Sequence, residues 1–221
     1  MNLEELRVEV EIKVEDPSYG PDRINNLINQ CVRYAAGQVA LPSLKRVGTV
    51  QTVANQAYVS ITPVANYESF AGVLKRVRKA DSNFPKVYPD VERLMDDYDM
   101  EAEGEVEGVA LEGSILWYAR IPTTSETLTL LYYVYPSLLV RNEDVPSNFP
   151  EELHLKLFGH GTAWMIFDEI ENRSELEGQK VKTAEHYWQS FDEKNPQSGL
   201  NQLRVWLAKV RPHHISSVWN Y

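Results

Sequence analysis

Residues 127–164 constrain the fold most, because two kinds of hydrophobic periodicity meet there. The run TLTLLYYVY at 127–135 carries large side chains on both alternating faces, which is typical of a strand covered on both sides. A loop with three prolines follows. From Pro150 onwards apolar residues recur every three or four positions, which predicts a long buried helix. The chain is therefore expected to change here from β structure to helix.

Two segments precede the β region. Residues 2–15 alternate like a strand, whereas their opening NLEELR favours a helical turn, so both structures stay open. A helix is predicted over residues 22–40, because apolar residues recur at helical spacing and Leu41-Pro42 ends it. Cys31 lies on that apolar stripe and is expected to be a small buried side chain.

Six strands are predicted between residues 46 and 135 from a period of two. They are 47–53, 57–61, 72–80, 106–111, 115–119 and 127–135. The tripeptides Ala54-Asn55-Gln56 and Glu112-Gly113-Ser114 are expected to be hairpin turns. Short strands joined by tight turns favour an antiparallel sandwich or barrel.

Two helices are predicted after residue 150, separated by a break at 171–174. The second covers 175–194 and ends at the cluster NPQSG. No helix can bury its apolar stripe alone, so the N-terminal helix is expected to pack against both late ones. The predicted fold is α+β, with an inserted antiparallel β sandwich or barrel between one N-terminal and two C-terminal helices. Its parts are a helical bundle domain (1–45 and 146–198), the inserted β domain (46–145) and an extended C-terminal arm (199–221).

The composition argues against several classes of protein. A formal net charge of −10 argues against tight binding of free nucleic acid, which needs clustered Lys and Arg. No apolar run approaches the length of a membrane span, and the acidic N-terminus lacks the apolar region of a signal peptide. The single cysteine cannot form an internal disulfide, which fits synthesis in a reducing compartment.

The C-terminal segment 199–221 differs in charge from the rest of the chain. It contains Arg204, Lys209 and Arg211 and no Asp or Glu, so it carries +3 and the remainder carries −13. A basic end is often only a solvated end. This one also contains Trp206 and Trp219, and such apolar content favours docking on the protein's own body or on a partner.

The residues that could carry chemistry form no motif. The acidic run 96–107 resembles a calcium loop when started at Asp99, but Ala110 stands where a bidentate glutamate is needed. The run is therefore interpreted as a solvated acidic segment. His160 lacks the H-E-x-x-H spacing, and His213-His214 have no evident partner ligand. No enzyme activity, cofactor or metal ion is predicted.

The order and spacing of the predicted elements resemble the head-to-tail adaptor proteins of tailed bacteriophages, also called connector or head-completion proteins. The segments that carry the resemblance are LINQCVRYAAGQ, VGTVQTVANQAYVSI and TLTLLYYVYPSLLVRNEDVPSNFPEELHLKLFGHGTAW. The last segment resembles that family's tyrosine-rich strand, proline, acidic-proline loop and amphipathic helix. The acidic segment at 81–107 departs from the pattern of shorter members.

The resemblance implies a structural virion protein at the head–tail interface, made in the host cytoplasm. Such proteins form a ring, usually of twelve copies, between the portal of a filled capsid and a tail protein, the nozzle or the tail tube. The helical part faces the portal, the C-terminal arm docks onto it, and the β part faces the tail. Genome DNA passes through the bore, the ring does no chemistry, and no membrane takes part.

Two groups of residues are assigned on this basis. Residues that bind the portal are expected to be Arg204, Trp206, Lys209, Arg211, His213, His214, Trp219 and Tyr221. Residues that repel DNA phosphates, in the bore or elsewhere on the surface, are expected to be Asp97, Asp99, Glu101, Glu103 and Glu105. One alternative is a monomeric module that binds carbohydrate or peptide through exposed Trp117, Tyr118 and Tyr133. Another is a hydrolase whose site has no recognisable motif.

Overall fold

Two compact units make up the chain. The computed structural model describes residues 1–64, 70–81, 83–173, 181–191 and 194–210. Unit 1 combines residues 1–41 with 136–221, and unit 2 is the continuous stretch 42–135. The predicted α+β class is confirmed, because the chain contains both helices and two β-sheets.

The helices in the described ranges outnumber the three that were predicted. They are α1 (Leu3–Val14), α2 (Pro21–Gln38), α3 (Val91–Asp97), α4 (His160–Arg173), α5 (Val181–Phe191) and α6 (Gly199–Val210). The strands are β1 (Lys45–Gln51), β2 (Tyr58–Ser60), β3 (Phe70–Lys79), β4 (Lys86–Tyr88), β5 (Gly108–Glu112), β6 (Ile115–Ala119) and β7 (Thr127–Val134). A 3-10 turn at Pro42–Leu44 precedes β1. Another 3-10 turn at Glu151–Leu153 and a π-helix at Leu155–Gly159 precede α4.

Residues 3–14 form helix α1, so the strand that the sequence also allowed at the N-terminus is wrong. A capping box starts the helix: the Asn2 side chain accepts a hydrogen bond from the Glu5 amide, and the Glu5 carboxylate accepts one from the Asn2 amide. The buried residues are Leu3, Leu6, Val10 and Val14, which recur at helical spacing. The alternating Val8 and Ile12, which favoured a strand, lie exposed on the other side.

The centre of unit 1 is a close contact between α2, α4 and α5. A Cβ built on Gly161 of α4 would lie 2.5 Å from the Cys31 sulfur and 3.0 Å from the Phe191 ring, so the residue must be glycine for the helices to approach. The Cys31 thiol donates a hydrogen bond to the Leu157 carbonyl 3.1 Å away. Burial raises the pKa of Cys31 to about 12. The predicted role of Cys31 as a small buried side chain is confirmed.

Helix α6 occupies the first half of the segment predicted to be an extended arm. It buries Gly199, Leu200, Leu203 and Leu207, whose spacing gives one apolar face. A Cβ built on Gly199 would lie 3.2 Å from the Leu157 backbone nitrogen, so the start of α6 packs directly on the π-helix. Residues 199–210 are therefore part of the helical core of unit 1. The rest of the predicted arm, 211–221, lies outside the described residues.

The strands of unit 2 form two open sheets, and the sheets are not purely antiparallel. The strand order is β1-β7-β3 in one sheet and β2-β6-β5-β4 in the other, and β4 runs parallel to β5. Glu112-Gly113-Ser114 forms the predicted hairpin between β5 and β6, with Gly113 at a φ of 57°. Ala54-Asn55-Gln56 is not a hairpin turn, because β1 pairs with β7 and β2 pairs with β6.

Unit 2 is built in three layers. Leu130 and Tyr132 of β7 line one small apolar cavity together with Leu111 and Leu116 of the four-stranded sheet, so the two sheets pack face to face. On the other face of the four-stranded sheet, Leu94 of α3 belongs to a buried cluster that includes Tyr88, Ala110 and Ala119. The order of layers is therefore the three-stranded sheet, the four-stranded sheet and α3.

Several predicted boundaries differ from the structure. The short elements β4 and α3 were not predicted, because three and seven residues are too few to establish a hydrophobic period. The break predicted at 171–174 is wrong at its first three positions, since α4 continues to Arg173. Polar residues such as Asn172 lower helix propensity by only about 0.7 kcal/mol relative to Ala, which is too little to end a helix.

Candidate partner-binding surfaces

Helix α6 carries the described part of the predicted portal-binding group. Its buried leucines point into unit 1, and Arg204, Val205 and Lys209 are exposed on the opposite side. Trp206 is half-buried between these two faces. The helix contains no acidic residue. It therefore presents a cationic and partly apolar face in a protein whose net charge is −10.

The base of α6 is fixed by hydrogen bonds, so its exposed face is held in place. The buried Ser198 hydroxyl accepts a bond from the Asn201 amide at 3.3 Å, which caps the helix. The Lys156 ammonium donates to the Gln197 carbonyl at 3.1 Å. The Gln202 side-chain amide donates to the same carbonyl at 2.9 Å. Portal-binding candidates beyond α6, namely Arg211, His213, His214, Trp219 and Tyr221, lie outside the described residues.

The acidic candidates do not form one uniform patch. The Asp97 carboxylate accepts hydrogen bonds from the Tyr88 hydroxyl at 2.6 Å and the Lys86 ammonium at 3.0 Å, and these bonds lower its pKa. Glu105 pairs with Lys79 at 2.6 Å. Asp99, Glu101 and Glu103 are exposed and make no ion pair with any described residue. Of the five predicted acidic residues, these three are the ones that contribute unneutralised charge to the described surface.

Lys79 is the centre of a charge cluster that the sequence did not indicate. It is 7% exposed, and its ammonium lies 2.6 Å from Glu105, 3.6 Å from Glu126 and 3.9 Å from Asp81. Burial alone lowers the pKa of Lys79, but the hydrogen bond to Glu105 and the charges of Glu126 and Asp81 outweigh burial and raise it. The cluster ties the end of β3 to the segments before β5 and β7, so its function is structural.

Residues 136–145, which follow β7, form an exposed strip. The Asn29 side chain holds both backbone groups of Leu139, accepting from its amide at 2.8 Å and donating to its carbonyl at 2.9 Å. The Asp144 carboxylate accepts bonds from the Val140 and Arg141 amides, which lower the pKa of Asp144. Three apolar side chains remain exposed on this strip: Leu138 (50%), Val140 (76%) and Val145 (45%). The strip thus presents three fixed apolar side chains, next to charged ones, on the surface of unit 1.

A comparison with protein families identifies the kind of protein that carries these surfaces. A family model described as SU10 adaptor protein matches residues 1–212. The chain belongs to the SU10 adaptor protein family. No protein of curated function matches the chain.

Membership in the SU10 adaptor family confirms the resemblance to phage head-to-tail adaptors. The protein is a phage adaptor, a structural protein of the virion that associates with other head or tail proteins. Proteins of this kind are not typically enzymes. Within the described ranges, every helix is too short or too polar to cross a lipid bilayer.

The described part of this SU10 adaptor contains no cluster suited to metal chemistry. No three His, Cys, Asp or Glu side chains among those residues lie close enough together to hold a metal ion. His160 packs against Tyr187, with ring centroids 5.6 Å apart, and burial lowers its pKa. The histidine is therefore mostly neutral near pH 7 and contributes to packing.

The aromatic residues of the alternative binding-module hypothesis do not share a surface. Tyr118 is fully buried, so its predicted exposure is wrong; its hydroxyl donates to the Tyr58 carbonyl at 3.1 Å. Trp117 is half-buried on the four-stranded sheet, and Tyr133 is half-buried on the three-stranded sheet. A stacking platform for a sugar ring requires neighbouring exposed rings, and these three residues do not supply one.

A pH dependence of stability follows from the histidines of unit 1. His154 is 1% exposed, and burial lowers its pKa, as it does for His160. Unfolding lets both residues take up protons near their ordinary pKa of 6.5. The free energy of unfolding is therefore expected to fall as the pH drops below 6.5, and urea titrations from pH 7.5 to 5 measure this. A variant with His154→Gln and His160→Gln should show a shallower slope; an unchanged slope would contradict the assignment.

Proposed function

We propose that copies of this adaptor form a ring of twelve, the number that the family resemblance implies, and that the ring joins the portal to a tail protein. Unit 1 binds the portal, unit 2 binds the nozzle or tail-tube protein, and genome DNA passes through the bore. The observation that carries this proposal is α6. Its leucines anchor it in unit 1, which leaves Arg204, Val205 and Lys209 as a fixed cationic face. Arg is a frequent anchor at protein interfaces.

The charge of the protein suits a channel for DNA. The net charge of −10, to which the exposed Glu103 contributes, disfavours adhesion of phosphates. Binding of DNA to a protein depends on neutralising phosphates with Lys and Arg. A ring of acidic subunits would therefore let the genome DNA pass through the bore without binding it.

The position of α6 determines where a truncation can test portal binding. Removing residues 200–221 would expose the core of unit 1, because Leu203 is fully buried and Leu200 and Leu207 nearly so. Removing residues 211–221 keeps α6 complete. This shorter truncation is expected to preserve the circular dichroism spectrum and thermal midpoint and to abolish attachment to purified portal. Cosedimentation and negative-stain images of the mixture measure attachment and show whether a ring forms.

A matched variant tests the exposed face of α6 separately. Arg204→Glu with Lys209→Glu reverses its charge without touching the buried leucines. This variant is expected to bind portal more weakly than the unmodified protein. Exposed Glu112→Lys in unit 2 serves as a control for a change of charge alone. If the truncated variant and the charge-reversed variant both attach fully to the portal, neither α6 nor residues 211–221 bind it. If the protein attaches to the portal as a monomer, the proposed ring is wrong.

A further inference from the structure

The outer face of the three-stranded sheet is basic. Strands β1, β7 and β3 contain six Lys or Arg and no Asp or Glu, although unit 2 as a whole is acidic. Residues opposite one another on antiparallel strands share a face of the sheet. Arg76 is opposite Leu131, Arg78 is opposite Thr129 and Lys45 is opposite Tyr133. The three cations thus lie on the face that points away from the second sheet.

Lys75 joins this face through an irregularity in β3. The register with β7 shifts between Leu74 and Arg76, and the Lys75 ammonium lies 5.9 Å from the centre of the Tyr133 ring. We call Lys45, Lys75, Arg76 and Arg78, with the 57% exposed Val47 among them, the basic sheet face. Lys45, Lys75 and Arg76 make no ion pair with any described residue.

The opposite side of unit 2 is acidic. Helix α3 covers the far face of the four-stranded sheet, and its exposed side carries Glu92 and Asp96. The turn that follows adds Asp99 and Glu101, whose position is fixed because the Asp99 carboxylate accepts a hydrogen bond from the Glu101 amide at 3.0 Å. These four carboxylates are the acidic helix face. None of them makes an ion pair with another described residue.

We propose that the basic sheet face of one copy binds the acidic helix face of the next copy, a head-to-tail contact that repeats around the ring. The two faces lie on opposite sides of the three layers, four cations on one and four carboxylates on the other. A head-to-tail contact between two different surfaces of the same chain is the kind that closes into a ring. This inference rests on the ring proposed above and identifies the surfaces that build it.

A second copy suits the basic sheet face better than DNA does. Val47 is 57% exposed and Tyr133 is half-buried on this face, and apolar surface among the charges is typical of protein interfaces. A phosphate backbone would instead be matched by a continuous set of cations. The net charge of the protein is −10, so the overall field opposes DNA. The acidic helix face supplies carboxylates that can pair with Lys45, Lys75 and Arg76.

Charge reversal with rescue tests the contact. One triple variant carries Lys45→Glu, Lys75→Glu and Arg76→Glu; the other carries Glu92→Lys, Asp96→Lys and Glu101→Lys. Each alone opposes like charges and is expected to lose the ring formed with purified portal. An equimolar mixture of the two, and one chain with all six substitutions, should regain it. Exposed Glu4→Lys, Glu112→Lys and Glu143→Lys form a control that should assemble normally.

The readouts are negative-stain images of rings and sedimentation velocity, with thermal unfolding to confirm that each variant folds. Raising the salt to about 1 M should weaken the contact, because the Debye length falls to about 3 Å. Rings formed equally well by both triple variants would overturn this contact and leave the proposed function standing. Failure of the unmodified protein to form a ring would overturn both proposals. Binding of a labelled DNA duplex that the basic triple abolishes, with rings intact, would assign the face to phosphates instead.

Discussion

Phe191→Ala is expected to lower the free energy of unfolding of unit 1 by about 3–5 kcal/mol, the usual cost of removing a buried phenylalanine ring. The Phe191 side chain is fully buried. Its ring stacks on Trp164 with centroids 5.9 Å apart and lies 5.7 Å from the Tyr34 ring. Gly161 of α4 lies against this ring and has no side chain that could fill the space it leaves. The energetic cost of the cavity therefore adds to the cost of losing buried apolar surface.

Urea unfolding followed by tryptophan fluorescence measures this change, since Trp164 and Trp188 both lie within 6.0 Å of the Phe191 ring. Val205→Ala in α6 is the control, because Val205 is 49% exposed and should change stability by less than about 0.5 kcal/mol. Equal stabilities of the two variants would show that the contact between α4 and α5 does not hold unit 1 together.

The sequence predicted elements whose hydrophobic period was long and unmixed. Helix α2 and strand β7 fall within two residues of their predicted ends. At the N-terminus two periods overlap: Val8, Val10, Ile12 and Val14 fit a strand, while Leu3, Leu6, Val10 and Val14 fit a helix. Only the packing of α1 on its neighbours, together with its cap, separates these possibilities. The period alone could not.

The candidate surfaces were predicted less completely than the helices and strands. Some of their charges are neutralised by residues far away in the sequence, and others come together only in the folded sheet. Glu105 appeared to be one member of a solvated acidic run, yet its partner Lys79 lies 26 residues earlier. The basic sheet face brings residue 45 and residues 75–78 together on either side of β7. That strand order is not sequential, so the linear distribution of charge did not indicate it. The basic character of α6 was visible because one short helix supplies it.

Lys79→Met is expected to lower the free energy of unfolding of unit 2 by about 3 kcal/mol, the lower end of the cost of leaving a buried charge without its partner. Glu126 loses the cation that balances it, and one of its carboxylate oxygens is buried without a hydrogen bond. Asp81 and Glu105 are better solvated and add little. The pKa of Lys79 is raised, so its contribution is complete at pH 7 and is lost only as the pH rises through that raised pKa.

Urea unfolding at pH 7 measures the loss, and two further variants identify its cause. Glu105→Gln removes the shortest ion pair of Lys79. The Glu105 side chain is 73% exposed, so this substitution is expected to change the free energy of unfolding by less than about 1 kcal/mol. Lys79→Met combined with Glu126→Gln removes both buried charges and should recover most of the stability. If the double variant is no more stable than Lys79→Met alone, the packing of the lysine stem, and not the unpaired carboxylate, accounts for the loss.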